Sequence, residues 1–102
     1  MPDTSVFAAL GDPTRRRIVD WLSEEGVGTA TQFAGRLPIT RQAVAKHLNE
    51  LARAGIVTSS KSGRETRFSL QPALLVEASN WLEQRAAAWD RTLGRLKQHV
   101  ED

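Results

Sequence analysis

The segment TATQFAGRLPITRQAVAKHLNELARAG, residues 29–55, constrains the fold more than any other part of the chain. Thr29 and Gln32 stand at capping-box spacing and open a short helix whose inward residues are Phe33, Ala34 and Leu37. Pro38 ends it, and after a turn of about three residues Thr40 caps a longer helix that runs to Gly55, a residue suited to left-handed termination. At about 100° per residue, Val44, Leu48 and Leu51 fall on one line of that helix, with Gln42, Lys46, Asn49 and Arg53 along the opposite side. A short helix, a tight turn and a longer helix form a helix-turn-helix, so the question is what the polar face of the second helix serves.

The flanking segments narrow the architecture. Val6–Leu10 is a short apolar helical stretch ending at Gly11; a second helix follows, with Asp12 as N-cap, Pro13 at its first position and Gly26 beyond its end. Ile18, Trp21, Leu22 and Leu10 face inward, and Arg15, Arg16 and Arg17, pointing in three directions, read as solvated surface. From Ile56 the period changes: residues 56–70 form two arms around Ser62, Gly63 and Arg64, with Thr66, Phe68 and Leu70 alternating against Arg67 and Ser69. The expected element is a β-hairpin with a basic tip.

Net charge is only +2, but it is unevenly spread. Between residues 36 and 67 stand seven basic side chains (Arg36, Arg41, Lys46, Arg53, Lys61, Arg64 and Arg67) against the two acids Glu50 and Glu65. That third carries +5 and the remainder −3, which points to a polyanionic partner for the basic part.

Residues 72–100 are good helix formers with one weak point at Gly94. Leu74, Ala78, Trp81, Leu82, Trp89, Leu93, Leu96 and Val100 make a broad apolar stripe. Such a helix measures about 43 Å at 1.5 Å per residue, against a radius of gyration near 13 Å for a compact domain of about 100 residues. It must overhang its own core, and a homodimer across Trp81, Trp89, Leu93 and Leu96, closed by Phe7 and Leu10 of the first helix, covers the stripe.

The chain therefore reads as one domain over residues 1–102: mainly α, with a small β-hairpin, as a winged helix-turn-helix with helix-turn-helix 29–55, wing 56–70 and a long C-terminal dimerisation helix 72–100. ALGDPTRRRIVDWL, TRQAVAKHLNELARAGIV and GRETRFSL resemble, in order, segments of the ArsR/SmtB family of bacterial transcriptional regulators. NWLEQRAAAWDRTLGRLKQHVE further resembles a cysteine-free branch of that family, often encoded beside START-like (SRPBCC) proteins, in which paired tryptophans and Leu-rich turns recur. The resemblance implies a homodimeric operator-binding repressor; where many members carry Ser or Thr, this chain has Ala45.

Under that reading the N-terminal half of the second helix of the motif enters the major groove of double-stranded DNA, so Thr40, Arg41, Gln42, Ala45, Lys46 and Asn49 are the expected contacts. Arg pairs with guanine, Gln with adenine, and the Ala45 methyl meets a thymine methyl. Lys61, Arg64 and Arg67 of the wing are expected on the minor groove or backbone, and Arg53 at most on a phosphate. His47, at the edge of the buried face, reads as a packed structural histidine. A winged-helix module that binds protein instead of DNA is the alternative.

Other functions find little support. The chain has no cysteine and no phosphate-binding glycine loop, zincin spacing or nucleophile elbow, so neither an enzyme nor a cofactor is expected. Asp90, His99 and Asp102 on the last helix lack the spacing of a metal-sensing set, with Thr92 where a histidine is wanted. Nothing resembles a signal peptide or a membrane span, and a cytoplasmic protein is expected, with a small-molecule or protein effector left open.

Overall fold

The computed structural model describes residues 2–101; Met1 and Asp102 lie outside it. Five helices and one hairpin follow in the order α1 (Thr4–Leu10), α2 (Pro13–Glu25), α3 (Ala30–Ala34), α4 (Arg41–Arg53), β1 (Val57–Ser62), β2 (Glu65–Leu70) and α5 (Ala73–Glu101). Each start from α1 to α4 has a side-chain cap for its unpaired N–H groups: Asp3, Asp12, Thr29 and Thr40 accept from Ser5, Arg15, Gln32 and Ala43. At Thr29 the box is reciprocal, because Gln32 Oε1 accepts the Thr29 N–H at 2.9 Å.

Helix α4 ends in a Schellman motif. Ile56 N–H donates to Leu51 O and Gly55 N–H to Ala52 O, both at 3.0 Å, with Gly55 at φ +79°. Helix α3 is shorter than its sequence suggests: it stops at Ala34, Gly35 caps it, and residues 35–40 form the connection. Glycine is a poor helix former and the residue before Pro38 is biased away from the α region, so the helix yields before Leu37. Leu37 still reaches the core, now from the turn.

The core gathers Val6, Ile18, Leu22, Phe33, Val44, Leu48, Leu51 and Ile56, all essentially inaccessible, with Phe68 of β2 and Ala78 of α5 also buried in it. The two strands pair antiparallel with Ser62 opposite Glu65, leaving Gly63 and Arg64 as a two-residue turn. Gly63 has φ +64° and Arg64 is not left-handed, the pattern of a type II′ hairpin. The wing is moored to the loop before α3: Gly28 N–H donates to Phe68 O at 3.0 Å and Phe68 N–H to Gly28 O at 2.8 Å. A Cβ on Gly28 would lie 2.2 Å from Phe33 Cζ, in a ring stacked on Trp21 at 5.4 Å. Gly28→Ala is accordingly expected to cost about 1–3 kcal/mol by overpacking, read as a lowered denaturation midpoint.

Helix α5 is continuous through Gly94. Its first turns pack on the core through Leu74, Leu75 and Ala78, and Trp81 meets Phe7 with ring centroids 5.8 Å apart. Beyond Trp81 it leaves the globule, giving a radius of gyration of 18.4 Å and extents of 69 × 26 × 22 Å. Among the described residues no helix is long and apolar enough to cross a membrane.

Candidate nucleic-acid interface

The cap at Thr40 fixes where α4 begins, and burial of Val44, Leu48 and Leu51 fixes its rotation. Arg41, Gln42, Lys46 and Asn49 are consequently exposed on the outer side, and Ala45 is half-buried. Between this face, the start of α3 and the wing runs an open groove of about 400 Å³. Arg41, Gln42, Ala45 and Asn49 line one wall, Arg64 and Thr66 the other, and Thr29, Ala30 and Thr31 close the end. Of the residues expected from sequence, Arg41, Gln42, Ala45 and Asn49 on α4 and Arg64 at the hairpin tip thus line one groove. Thr40 is exposed, its hydroxyl oxygen already accepting from Ala43 N–H at 3.1 Å. Lys46 lies on the same helix face outside the groove, and Lys61 is exposed on β1 opposite Thr66.

The basic residues of the middle third sort by their partners. Arg36 and Glu25 form a bidentate pair, with one contact at 2.6 Å, that holds the Glu25 carboxyl below the usual range and raises the guanidinium. Arg53 reaches Glu50 at 3.1 Å. Arg67 Nε lies 3.5 Å from Glu65, and Arg67 lines a smaller cleft on the Val27 side of the wing instead of the groove beside α4. Arg41, Lys46, Lys61 and Arg64 form no ion pair among the described residues. The unpaired cations are therefore those of the outer helix face and the hairpin.

His47 is half-buried between α4 and the start of α2. Its Nδ1 stands 3.4 Å from an Arg15 guanidinium nitrogen and 4.0 Å from Asp12 Oδ2. Asp12 is held below the usual carboxylate range chiefly because the Arg15 backbone N–H donates to it. In the arginine run on α2, Arg16 and Arg17 are exposed, as a solvated surface requires, and Arg15 is half-buried. Arg15 and Arg16 turn back onto the carbonyls that end α1, and Arg17 covers Trp21 at 5.4 Å. Free carbonyls at a helix end attract cations, a pull that the angular spacing of the arginines does not reveal.

Thr31, Thr66 and Glu65 also border the groove. Their signal in the sequence is weak: Thr31 is the second residue of the shorter helix of the motif, and Thr66 shares the inward register of Phe68.

The residues expected at a dimer interface, on α1 and α5, divide in two. Phe7, Leu10 and Trp81 are partly buried within the chain, whereas Trp89, Leu93 and Leu96 are exposed by 57, 45 and 52%.

Comparison with known proteins agrees with this geometry. A helix-turn-helix domain family matches residues 10–60. The transcriptional repressor SdpR of Bacillus subtilis is 35% identical over 78 residues, covering 76% of this chain and 86% of its own. CmtR of Mycobacterium tuberculosis, an HTH-type transcriptional regulator, is 39% identical over 82 residues, 80% of this chain and 69% of its own. Among solved structures, an ArsR-like transcriptional regulator from Rhodococcus sp. RHA1 superposes with a TM-score of 0.78 at 47% identity, over 92% of this chain and 88% of that one. With a capped helix-turn-helix, a wing and unpaired cations on both, the chain belongs to the ArsR family of DNA-binding transcriptional regulators.

Proposed function

We propose that the protein is a homodimeric repressor that reads two half-sites of an operator roughly one helical turn apart, as dimeric helix-turn-helix proteins do. The observation that carries the reading is the sorting of charge within the basic third: among residues 36–67 the cations without acidic partners are Arg41, Lys46, Lys61 and Arg64, and Arg41 and Arg64 line one groove together with Gln42 and Asn49. Arg41 and Gln42 read base edges, Lys46 reads a base or a phosphate, Ala45 and Asn49 sit beside them, and Arg64 and Lys61 hold the backbone or minor groove. Arg67, engaged by Glu65, contributes less.

Dimerisation is supported by the exposed Trp89, Leu93 and Leu96 on the projecting helix. Repression follows the likeness to SdpR, named a transcriptional repressor. CmtR is described as a cadmium metal-sensor; this chain has no cysteine to supply the soft thiolate ligands that such an ion prefers, so the inducing signal is assigned to a small molecule or a partner protein. A reader of operator DNA works in the cytoplasm, as a regulator and not an enzyme.

The deciding experiment is selection of bound fragments from random DNA at physiological salt. The expected outcome is a two-fold symmetric consensus; no enrichment, with retention of a protein partner unchanged by reversing Lys46 and Arg64 to Glu, would assign the same surfaces to protein binding. Glu65→Gln gives a finer check. It removes a negative charge from the groove and frees Arg67, so operator affinity should rise two- to fivefold and the salt dependence steepen by about one unit per protomer in log–log slope. An unchanged titration curve would place the wing off the DNA.

A further inference from the structure

We propose that Arg15 is a positioning residue for the recognition helix: it holds His47 of α4 only while that imidazole is neutral, and so ties the proton state of His47 to the C-terminal end of α1. The operator arm of this proposal rests on the DNA-binding reading above; the contact itself does not.

The Arg15 guanidinium is shared between two helices. Its Nε donates to Ala9 O at 2.6 Å and one terminal nitrogen donates to Ala8 O at 3.3 Å, both at the end of α1. The other terminal nitrogen points at His47 Nδ1, 3.4 Å away. A guanidinium only donates, so this third contact needs a lone pair on Nδ1 and therefore the neutral ring with its hydrogen on Nε2. The same Nδ1 lies 4.0 Å from Asp12 Oδ2, and a carboxylate only accepts. One ring atom thus has two neighbours with opposite requirements: Arg15 suits the neutral ring, and Asp12 suits the protonated one.

Among the described residues no other ionisable group contacts the ring. On α4, Lys46 points to solvent and Glu50 is engaged by Arg53. Helix α1 presents carbonyls, and among the described residues no further acid or base forms an ion pair or hydrogen bond with His47. The neighbouring arginines serve as internal comparisons: Arg16 donates to Leu10 O at 2.7 Å and Arg17 covers Trp21, and neither is bonded to the ring.

Protonation of the ring places a second cation beside Arg15 and turns Nδ1–H toward Asp12. Arg15 then leaves the ring, and its hold on Ala8 and Ala9 changes with it. Helix α1 has seven residues, too few to be stable without tertiary support. It carries Phe7 onto Trp81 at the point where α5 leaves the globule. Recognition helix and projecting helix are in this way joined through one side chain on α2.

The test is a nuclear magnetic resonance titration of the full chain from pH 5 to 8.5, following the His47 ring nitrogens and the carbonyl carbons of Ala8 and Ala9. In the wild type the carbonyl shifts should move with the midpoint of the His47 ring. His47→Asn, whose Oδ1 offers Arg15 a permanent acceptor, should abolish that transition. In Arg15→Lys the ring should still titrate and the carbonyls should cease to follow. Carbonyls that stay fixed while the wild-type ring titrates, or that titrate unchanged in His47→Asn, overturn the proposal.

On a DNA fragment enriched by the selection above, wild-type affinity should fall at least threefold from pH 8 to 5.5, against the general gain that added positive charge brings to DNA binding. His47→Asn should lack the fall, and a wild-type affinity that holds or rises refutes the operator arm. Absence of binding at every pH would refute the functional reading, and the carbonyl shifts would still decide the contact.

Discussion

Trp89→Asp is expected to yield a folded monomer whose affinity for a symmetric operator is lower by about three orders of magnitude or more. Trp89 contributes nothing to the core: its side chain is 57% exposed on a helix that has already left the globule. Helical content should therefore be unchanged and the unfolding midpoint independent of protein concentration. Under the proposed dimer the substitution acts at the interface. Covering one large apolar side chain is worth roughly 1.5–3 kcal/mol, and a two-fold interface counts each substitution twice. Putting an uncompensated carboxylate there adds its desolvation penalty. A monomer then presents one recognition helix to a site built for two, and about half of the binding free energy is lost. Sedimentation and an operator titration on the same sample check both halves. A Trp89→Asp dimer that binds normally would place subunit contact elsewhere, for instance on the Phe7 and Trp81 end alone.

Much of this architecture is legible in the sequence because it depends on local chemistry. Asp12 before Pro13, the Thr29 and Gln32 pair, Thr40, and Gly55 each satisfy backbone groups within a few residues, and the structure uses all of them in that way. The period change at Ile56 and the Gly63 turn are likewise local. The length of α5 carries its own consequence, since no core of this size can bury a helix of 29 residues. What the sequence hides is non-local. Leu37 lies beyond the end of α3 and is buried from the turn, which depends on where the other elements place the core. Arg15 looks like a surface residue until the end of α1 stands beside it. Counting charge finds the basic third but not its sorting: Glu25, 11 positions from Arg36, removes that arginine from the field available to DNA.

That sorting makes the second large prediction, in which equal formal charges have unequal effects. Arg41→Ala is expected to lower operator affinity by about 1–3 kcal/mol per half-site if its fork reads a guanine, and by much less on unrelated sequence. Lys46→Ala should weaken both kinds of DNA and reduce the log–log salt slope by about 0.9 per protomer for each phosphate that the lysine neutralises. Arg53→Ala removes the same formal charge from the same helix, yet its guanidinium is already held by Glu50 at 3.1 Å and stands at the C-terminal end of α4. Its effect should stay within about twofold, in line with the small contribution of exposed pairs. If only net charge mattered, the three variants would shift binding equally and their slopes would coincide. Measuring all three against operator and random DNA, at several salt concentrations, separates base reading from phosphate neutralisation. It also asks whether pairing within the chain decides which cations the DNA can use.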